Sequence, residues 1–493
     1  MNLFSITGVT DLKVKMVSTE LIYKTFFDEF EIKSIIAETT ANYTLFDAEL
    51  KNTHEEQIKN FNKLESGLPF LNGDAFGNQV HFQFAYQTPV QRWFPYREGY
   101  SIKLVNAFIN ELNIKGNIFD PFSGSGTTLL ASRMADLNSF GMDVNPISVL
   151  VAKVENEQYI PQDIIQIEEE LKKIRELKKS QKSLQTIFDL ADKVFNPDIL
   201  QSLLQFKQHI KSIQHKKVKE LFYVAWLSII EDVSNIKKEG NGIKYKNRKR
   251  TLNGYINIEK EKWENNKFPF NKFDFVKNKL LNHLEIMLSD LKVNYGKCDR
   301  KPNIYKGSCL DFNKFFSDEI ELTFFSPPYC NCFDYFEIHK IELWLGDFVS
   351  DKEELKKLRN TGFRSNTNSL NHKPISYKNK YLENLISLFD PEKLWNNRIP
   401  NIVRGYFDDM HTLLNKLYQQ TIINGFVGIV VGNSAYSGVI IPTDILIAEI
   451  AKEIGFKVKS IFVTRHLTTS SQQKQELEYL KNYLRESIVL LEK

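Results

Sequence analysis

The stretch Asp120-Pro-Phe-Ser-Gly-Ser-Gly-Thr-Thr128 constrains this chain more than any other, because of what flanks it. A short apolar run at 117–119 leads into it, a helix-like TTLLASRMADL leaves it, and a second apolar run follows at 140–143. Strand, glycine turn, helix, strand is the signature of a βαβ unit and so of a parallel sheet. Gly124 and Gly126 let the backbone approach a ligand closely. The helix that begins at Thr127 presents free N–H groups at that point. The turn lacks the Gly-Lys-Ser/Thr of a phosphate-binding P-loop. It is also not a complete dinucleotide fingerprint, since Leu129 stands where the third glycine belongs. Asp143 ends the second apolar run, 17 residues after Gly126. In a doubly wound sheet, Asp120 and Asp143 both emerge at the carboxyl edge, where ligands bind, and Asp143 can accept from both hydroxyls of a ribose.

A second signal is Ser326-Pro327-Pro328-Tyr329, directly after the strand-like ELTFF. A Pro-Pro pair cannot continue a strand, so the chain stops and stiffens there. The stiffened turn fixes the Pro327 carbonyl beside the Ser326 hydroxyl and the flat face of Tyr329. Two acceptors and an aromatic platform suit a planar substrate that carries an exocyclic amino group.

The remaining apolar runs organise the chain around these turns. Candidate strands lie near 117, 140, 304, 322, 428, 460 and 489, and the last two are expected to pair antiparallel. The sequence predicts an α/β fold, a doubly wound, mostly parallel seven-stranded sheet. Residues 155–300 are rich in Lys, Glu, Gln, Leu and Ile at helical spacing and read as a large helical insertion. The divisions are then an N-terminal segment of unassigned role (1–80), a first part of the sheet domain (81–154), the insertion (155–300) and a second part (301–493). The chain's 493 residues correspond to roughly three domain-sized units. A hydrophobic content of 42% with 26% charged residues excludes wholesale disorder. The four cysteines, Cys298, Cys309, Cys330 and Cys332, are too few for a disulfide scaffold and fit reduced thiols in a cytoplasmic protein. No apolar run approaches a membrane span, and the first residues lack a secretory pattern, so no membrane association is expected.

Together these residues resemble the S-adenosylmethionine-dependent DNA amino-methyltransferases, the N4-cytosine and N6-adenine modification methylases. The resemblance covers about residues 81–150 and 303–493. It implies a methyltransferase sheet in which Asp120, Gly124 and Gly126 surround the methionine part of the cofactor. Pro121, Phe122 and Thr127 share that cofactor-binding turn, and Asp143 holds the ribose. Arg92-Trp-Phe-Pro-Tyr-Arg97 resembles the family's extra cofactor-lining segment and adds Trp93 and Tyr96. The runs GNSAYSGVIIPTD, SSQQ and RESIVLL also resemble DNA modification methylases. One departure is Gly307-Ser308-Cys309, which stands where the family often has an acid; Asp311 comes later.

The same residues suggest a mechanism. An aromatic amino group is a poor nucleophile because its lone pair is delocalised into the ring. Ser326 and the Pro327 carbonyl can draw the nitrogen towards tetrahedral geometry, with Pro328 and Tyr329 completing the catalytic turn. Carbon-5 cytosine methylation needs a cysteine nucleophile, and no Pro-Cys pair stands at this turn. Cys330 and Cys332 read as packing residues, and C-x-C alone is poor evidence for zinc, so no metal is expected. A target base must be flipped out of the duplex, with Tyr329 stacking on it. Two basic runs, 237–250 at +6 and 356–380 at +7, read as phosphate clamps on double-stranded DNA. They supply the candidate contacts Lys244, Lys246, Arg248, Lys249, Arg250, Arg359 and Arg364; the insertion is a candidate recognition region. The resemblance further implies a bacterial-type enzyme paired with a cognate restriction endonuclease. Ser-Pro-Pro-Tyr, rather than an acid-led turn, points to cytosine N4. Adenine N6 presents the same chemistry and stays open. Two further readings are an RNA methyltransferase and a catalytically silent DNA-binding subunit. Against the silent subunit stand the intact Asp120, both glycines, Asp143 and the Ser-Pro-Pro-Tyr turn.

Overall fold

The fold is that of a computed structural model, which describes residues 48–81, 87–186, 188–240, 242–251, 254–293, 300–369, 373–467 and 477–493. Cys298, the run SSQQ and the first 47 residues lie outside the described residues. Eight strands form the central sheet: β1 (Phe70–Asn72), β2 (Ile118–Asp120), β3 (Ser139–Asp143), β4 (Asn303–Lys306), β5 (Ile320–Phe325), β6 (Thr421–Gly432), β7 (Lys457–His466) and β8 (Arg485–Glu492). Their order is β1-β7-β8-β6-β5-β2-β3-β4. Among the described residues, only β8 runs antiparallel to its neighbours. The seven strands expected from the sequence are all present, and β7 and β8 pair antiparallel as expected. The eighth, β1, comes from the N-terminal segment and pairs along Phe70↔Ile461 to Asn72↔Val463. Three residues are too few to give a periodic signal. The helix before it, Ala48–Glu65, docks by Phe61, whose ring lies 4.7 Å from that of Tyr483.

The chain moves from β2 to β3 to β4 on one side, then returns to place β5 on the other side of β2. β2 and β5 pair directly, Ile118↔Leu322 and Phe119↔Thr323. The turns that follow these two strands are therefore neighbours at the carboxyl edge, where the strand order reverses and ligands bind in such sheets. The missing third glycine of the turn is explained on β3. A Cβ at Gly141 would meet the Leu129 side chain at 2.5 Å, so the empty space sits on the strand and the bulk on the helix.

The insertion is mainly helical, as read, with long helices Pro161–Glu176, Pro197–Ser212, Lys216–Ser228 and Lys272–Lys292. It shares one continuous core with a face of the sheet, in which Phe206, Trp226 and Leu284 join Phe108 and Phe324. Helices Ile399–Gln420 and Thr443–Ile454 cover the opposite face. The structure departs from the reading at 236–257. There the basic run forms two hairpins, Ile236–Glu239 with Gly242–Tyr245 and Arg248–Thr251 with Gly254–Asn257. The run carries no apolar–polar alternation in its second half, because both faces of the second hairpin are exposed. Among the described residues, no helix is long and apolar enough to cross a membrane.

One buried carboxylate ties the insertion to the sheet domain. Asp290, on the helix Lys272–Lys292, accepts from the Val90 N–H at 3.0 Å, the Trp93 indole at 2.9 Å and Arg92 Nε at 3.0 Å. Asp290→Ala leaves buried donors unpaired. The expected cost is on the order of 3 kcal/mol, the low end for breaking a buried pair because Arg92 is partly solvated. Thermal or denaturant unfolding of the variant checks this; an unchanged midpoint contradicts it.

Candidate active site

Two cavities meet at the carboxyl ends of β2, β3 and β5. The first is walled by Asp120 to Ser125, Thr127, Asp143, Tyr96, Gly307, Phe363 and the Ser326-Pro327-Pro328 turn. The second is walled by Tyr329, Arg97, Arg465, Glu486 and Lys238 to Gly240 of the first hairpin. Five residues line both: Glu98, Gly99, Tyr100, Ser326 and Tyr335.

The glycine turn is held from inside. Asp143 Oδ2 accepts from the Gly124 N–H at 3.0 Å, and Oδ1 from the Asn145 N–H at 2.7 Å. Gly124 sits at φ +50°, and a Cβ there would meet the Tyr96 ring at 2.8 Å. Glycine thus serves both the turn and the close approach of Tyr96. Gly126 caps the helix Thr127–Met134 in the left-handed region and packs against Asn156 and Ala152 rather than lining the cavity. Asp120 accepts from Tyr100 Oη at 3.1 Å and from the Phe122 N–H at 3.0 Å. Among the described residues, neither carboxylate pairs with a lysine or arginine. Burial pushes Asp120 up to about 7, with the nearby Asp143 adding to the rise. Burial likewise pushes Asp143 up to about 6, against the opposing pull of its backbone donors. The first cavity therefore presents two uncompensated acids.

Ser326 Oγ donates to the Val430 carbonyl at 3.1 Å, so its hydrogen is committed and its lone pairs remain for a ligand. Tyr329 does not line the first cavity. Its hydroxyl donates to Glu486 Oε1 at 2.5 Å, and Arg465 Nε donates to Glu486 Oε2 at 2.5 Å. Burial pushes the Tyr329 phenol well up, so it stays protonated. Cys330 is buried and burial raises its thiol, as it does for Cys332. Both behave as packing groups.

The expected site residues thus divide. Asp120, Pro121, Phe122, Gly124, Thr127, Asp143 and Tyr96 come together with Ser326, Pro327 and Pro328 around one cavity. Trp93 does not join them: it is buried with its indole on Asp290. The basic residues divide too. Arg364 is buried, its guanidinium held by Asp408 and by Asp409 at 2.6 Å, so it is not presented to phosphates. Arg359 pairs with Glu337 at 2.7 Å and Asp334 at 3.2 Å. Lys246 donates to the Glu231 and Ser234 carbonyls at the root of the hairpins, and burial lowers its pKa. Lys244 pairs with Glu239 at 3.3 Å. Arg248, Lys249 and Arg250 are exposed. The sequence reading missed Glu98, Tyr335, Arg465 and Glu486. Glu98 directly follows the aromatic segment 92–97 and Glu486 lies inside RESIVLL, but neither has a spacing that marks it.

The doubly wound sheet thus carries two adjoining cavities at its strand reversal, one acidic and one bordered by an aromatic turn. No family model matches the chain. It is similar to the type II methyltransferase M.BsoBI of Geobacillus stearothermophilus, 28% identical over 451 residues, covering 84% of this chain and 87% of that protein. It is also 28% identical over 402 residues to the type II methyltransferase M.AvaI of a Nostoc species, 78% of this chain and 82% of that one. A weaker similarity, 24% over 355 residues, links it to the type II methyltransferase M.MvaI of Kocuria varians. These similarities bear out the resemblance read from the two turns.

The raised carboxylates give a signed prediction. A carboxyl whose pKa rises on folding contributes stability fully present below its unfolded value and lost as pH rises through the folded one. For Asp120 that window runs from 3.8 to about 7. Asp120→Asn removes this titration. The melting temperature of the variant minus that of the wild type should therefore rise between pH 5 and pH 8. Calorimetry showing a flat difference contradicts the placement of Asp120.

Proposed function

We propose that this protein is a DNA methyltransferase acting on the exocyclic amino group of a flipped-out base, cytosine N4, with S-adenosylmethionine as methyl donor. The observation that carries the reading is the Ser326 turn: Ser326 lines both cavities, Pro327 and Pro328 the first, and Tyr329 the second. Ligands held in the two cavities would approach each other beside Ser326, where a group can pass between them. The first cavity fits the donor by its chemistry. Two buried acids without basic partners suit a ligand bearing ammonium and sulfonium charges. Asp143 retains acceptor capacity for ribose hydroxyls, and Phe122 and Phe363 offer apolar surface to a planar ring. When bound, S-adenosylmethionine supplies the methyl group.

The chain's own residues do the rest. Ser326 Oγ and the Pro327 carbonyl accept hydrogen bonds from the amino group and favour the pyramidal nitrogen whose lone pair is available. Tyr329, fixed through Glu486, offers a face to the extruded base. Exposed cations grip phosphates, and the similarity to type II methyltransferases supports double-stranded DNA and a companion restriction endonuclease as partners. Besides Lys249, a cleft lined by Lys352, Lys356, Lys373 and Arg398 offers such a surface.

The protein is incubated with labelled S-adenosylmethionine and separate DNA and RNA pools, and the products are digested to nucleosides. Label in N4-methylcytosine from DNA is expected. N6-methyladenine replaces cytosine by adenine as the target, and label only in RNA overturns the proposal. In single-turnover assays, Ser326→Ala should lose about a hundredfold in rate, the usual effect of removing one preorganised partner. Cys330→Ala should retain activity. A dead cysteine variant beside an active Ser326→Ala excludes the amino-group chemistry.

A further inference from the structure

The second hairpin of the insertion stands apart from everything around it. All eight of its strand residues, Arg248–Thr251 and Gly254–Asn257, are exposed. Its register pairs Arg248 with Asn257, Lys249 with Ile256, and Arg250 with Tyr255. Residues directly opposite in an antiparallel pair share a face, and alternate residues along a strand share it too. Arg248, Arg250, Tyr255 and Asn257 therefore form one face; Lys249, Thr251 and Ile256 form the other. Arg248 stacking 4.3 Å above the Tyr255 ring agrees with this assignment.

The ribbon also carries three consecutive exposed cations, Arg248, Lys249 and Arg250. Several surface cations of the insertion sit against carboxylates, as in Lys173–Glu170 at 2.7 Å, Arg175–Glu285 at 2.7 Å and Lys279–Asp232 at 3.1 Å. Among the described residues, no carboxylate pairs with Arg248, Lys249 or Arg250. Tyr255 and Ile256 are 60% and 55% exposed beside them. A polyanion with apolar patches complements that surface.

Its root fixes where it reaches. The Ile258 N–H donates to the Asn247 carbonyl at 2.8 Å, and the Asn247 N–H to Asn235 Oδ1 at 3.2 Å. The first hairpin springs from the same point, and its Lys238 to Gly240 line the second cavity. Strands of this length span roughly 13 Å. The first hairpin thus joins the two, its turn end at the cavity where the extruded base is proposed to sit and its root at the ribbon.

We propose that the paired strands Arg248–Thr251 and Gly254–Asn257 enter the major groove of the substrate duplex and that their Arg248/Arg250/Asn257 face reads base edges next to the flipped nucleotide. This rests on the DNA-methyltransferase reading above. A two-stranded ribbon fits a groove about 12 Å wide. Arginine forks match guanine O6 and N7, and an asparagine amide matches adenine N6 and N7. Lysine on the opposite face meets phosphates as a point charge. The ribbon is a reader and not only a clamp.

The test uses the full chain and a pool of duplexes whose central dozen or so base pairs are randomised. Bound duplexes are sequenced for the wild type, Arg250→Lys, Asn257→Ala and Lys249→Ala, and the salt slope of affinity is measured for each. The wild type should enrich a defined sequence. Arg250→Lys keeps the charge and the salt slope, yet should lose preference at one base pair by about tenfold or more. Asn257→Ala should lose preference at another. Lys249→Ala should enrich the wild-type sequence with a salt slope lower by about one. If Arg250→Lys and Asn257→Ala both enrich the unchanged sequence, the ribbon does not read bases and the proposal falls. A changed sequence with Lys249→Ala overturns the face assignment. Should the wild type bind no duplex at all, the methyltransferase reading fails with it; duplex binding without any enrichment leaves that reading standing and overturns the reader alone.

Discussion

Parallel pairing of β2 with β5 is the constraint on which the rest depends. Two residue pairs, Ile118↔Leu322 and Phe119↔Thr323, bring together turns that lie about two hundred residues apart in the chain. Without that pairing, the acidic glycine turn and the Ser-Pro-Pro turn are unrelated loops. With it, they become two walls of one cavity. The reversal of strand order at this point also explains why the cavity opens here and not along the other strand ends. The antiparallel β8 then brings Glu486 under Tyr329 and extends the site into a second compartment.

The insertion has a structural share in that site. Its helix Lys272–Lys292 holds the segment 90–93 through Asp290, and Arg97 further along donates to Glu231 at 3.1 Å. Those contacts set the position from which Tyr96 closes over Gly124 and Glu98 reaches both cavities. The first hairpin contributes Lys238, whose ammonium is buried against Glu342 at 2.6 Å. A region that reads as an appendage is therefore part of the cavity's support.

The strands were legible because buried parallel strands read as continuous apolar runs, and β5, Ile320–Phe325, is the clearest case. The two turns were legible because glycine and proline leave few backbone alternatives. What stayed hidden depended on tertiary context. Trp93 and Tyr96 lie three residues apart in one aromatic segment, yet one anchors on Asp290 and the other lines the cavity. Arg364 and Lys249 carry the same charge in the sequence. Only the fold shows that Asp408 and Asp409 enclose the first while the second stands in solvent. The hairpins of 236–257 gave no periodic signal because no core lies beneath the second of them. Leu129 looked like a defect in the glycine motif until Gly141, on the neighbouring strand, accounted for it.

The acidic cavity as the methyl-donor site is tested most directly by titrating the full chain with S-adenosylmethionine in a calorimeter, without DNA, for the wild type and for Asp143→Ala. The turn is already held by Asp143 and needs no second substrate, so the wild type should bind. The variant should remain folded and bind at least tenfold more weakly, since charge-assisted hydrogen bonds are each worth on the order of 1.5–3 kcal/mol. Equal affinity in a folded Asp143→Ala protein would contradict the assignment of this cavity.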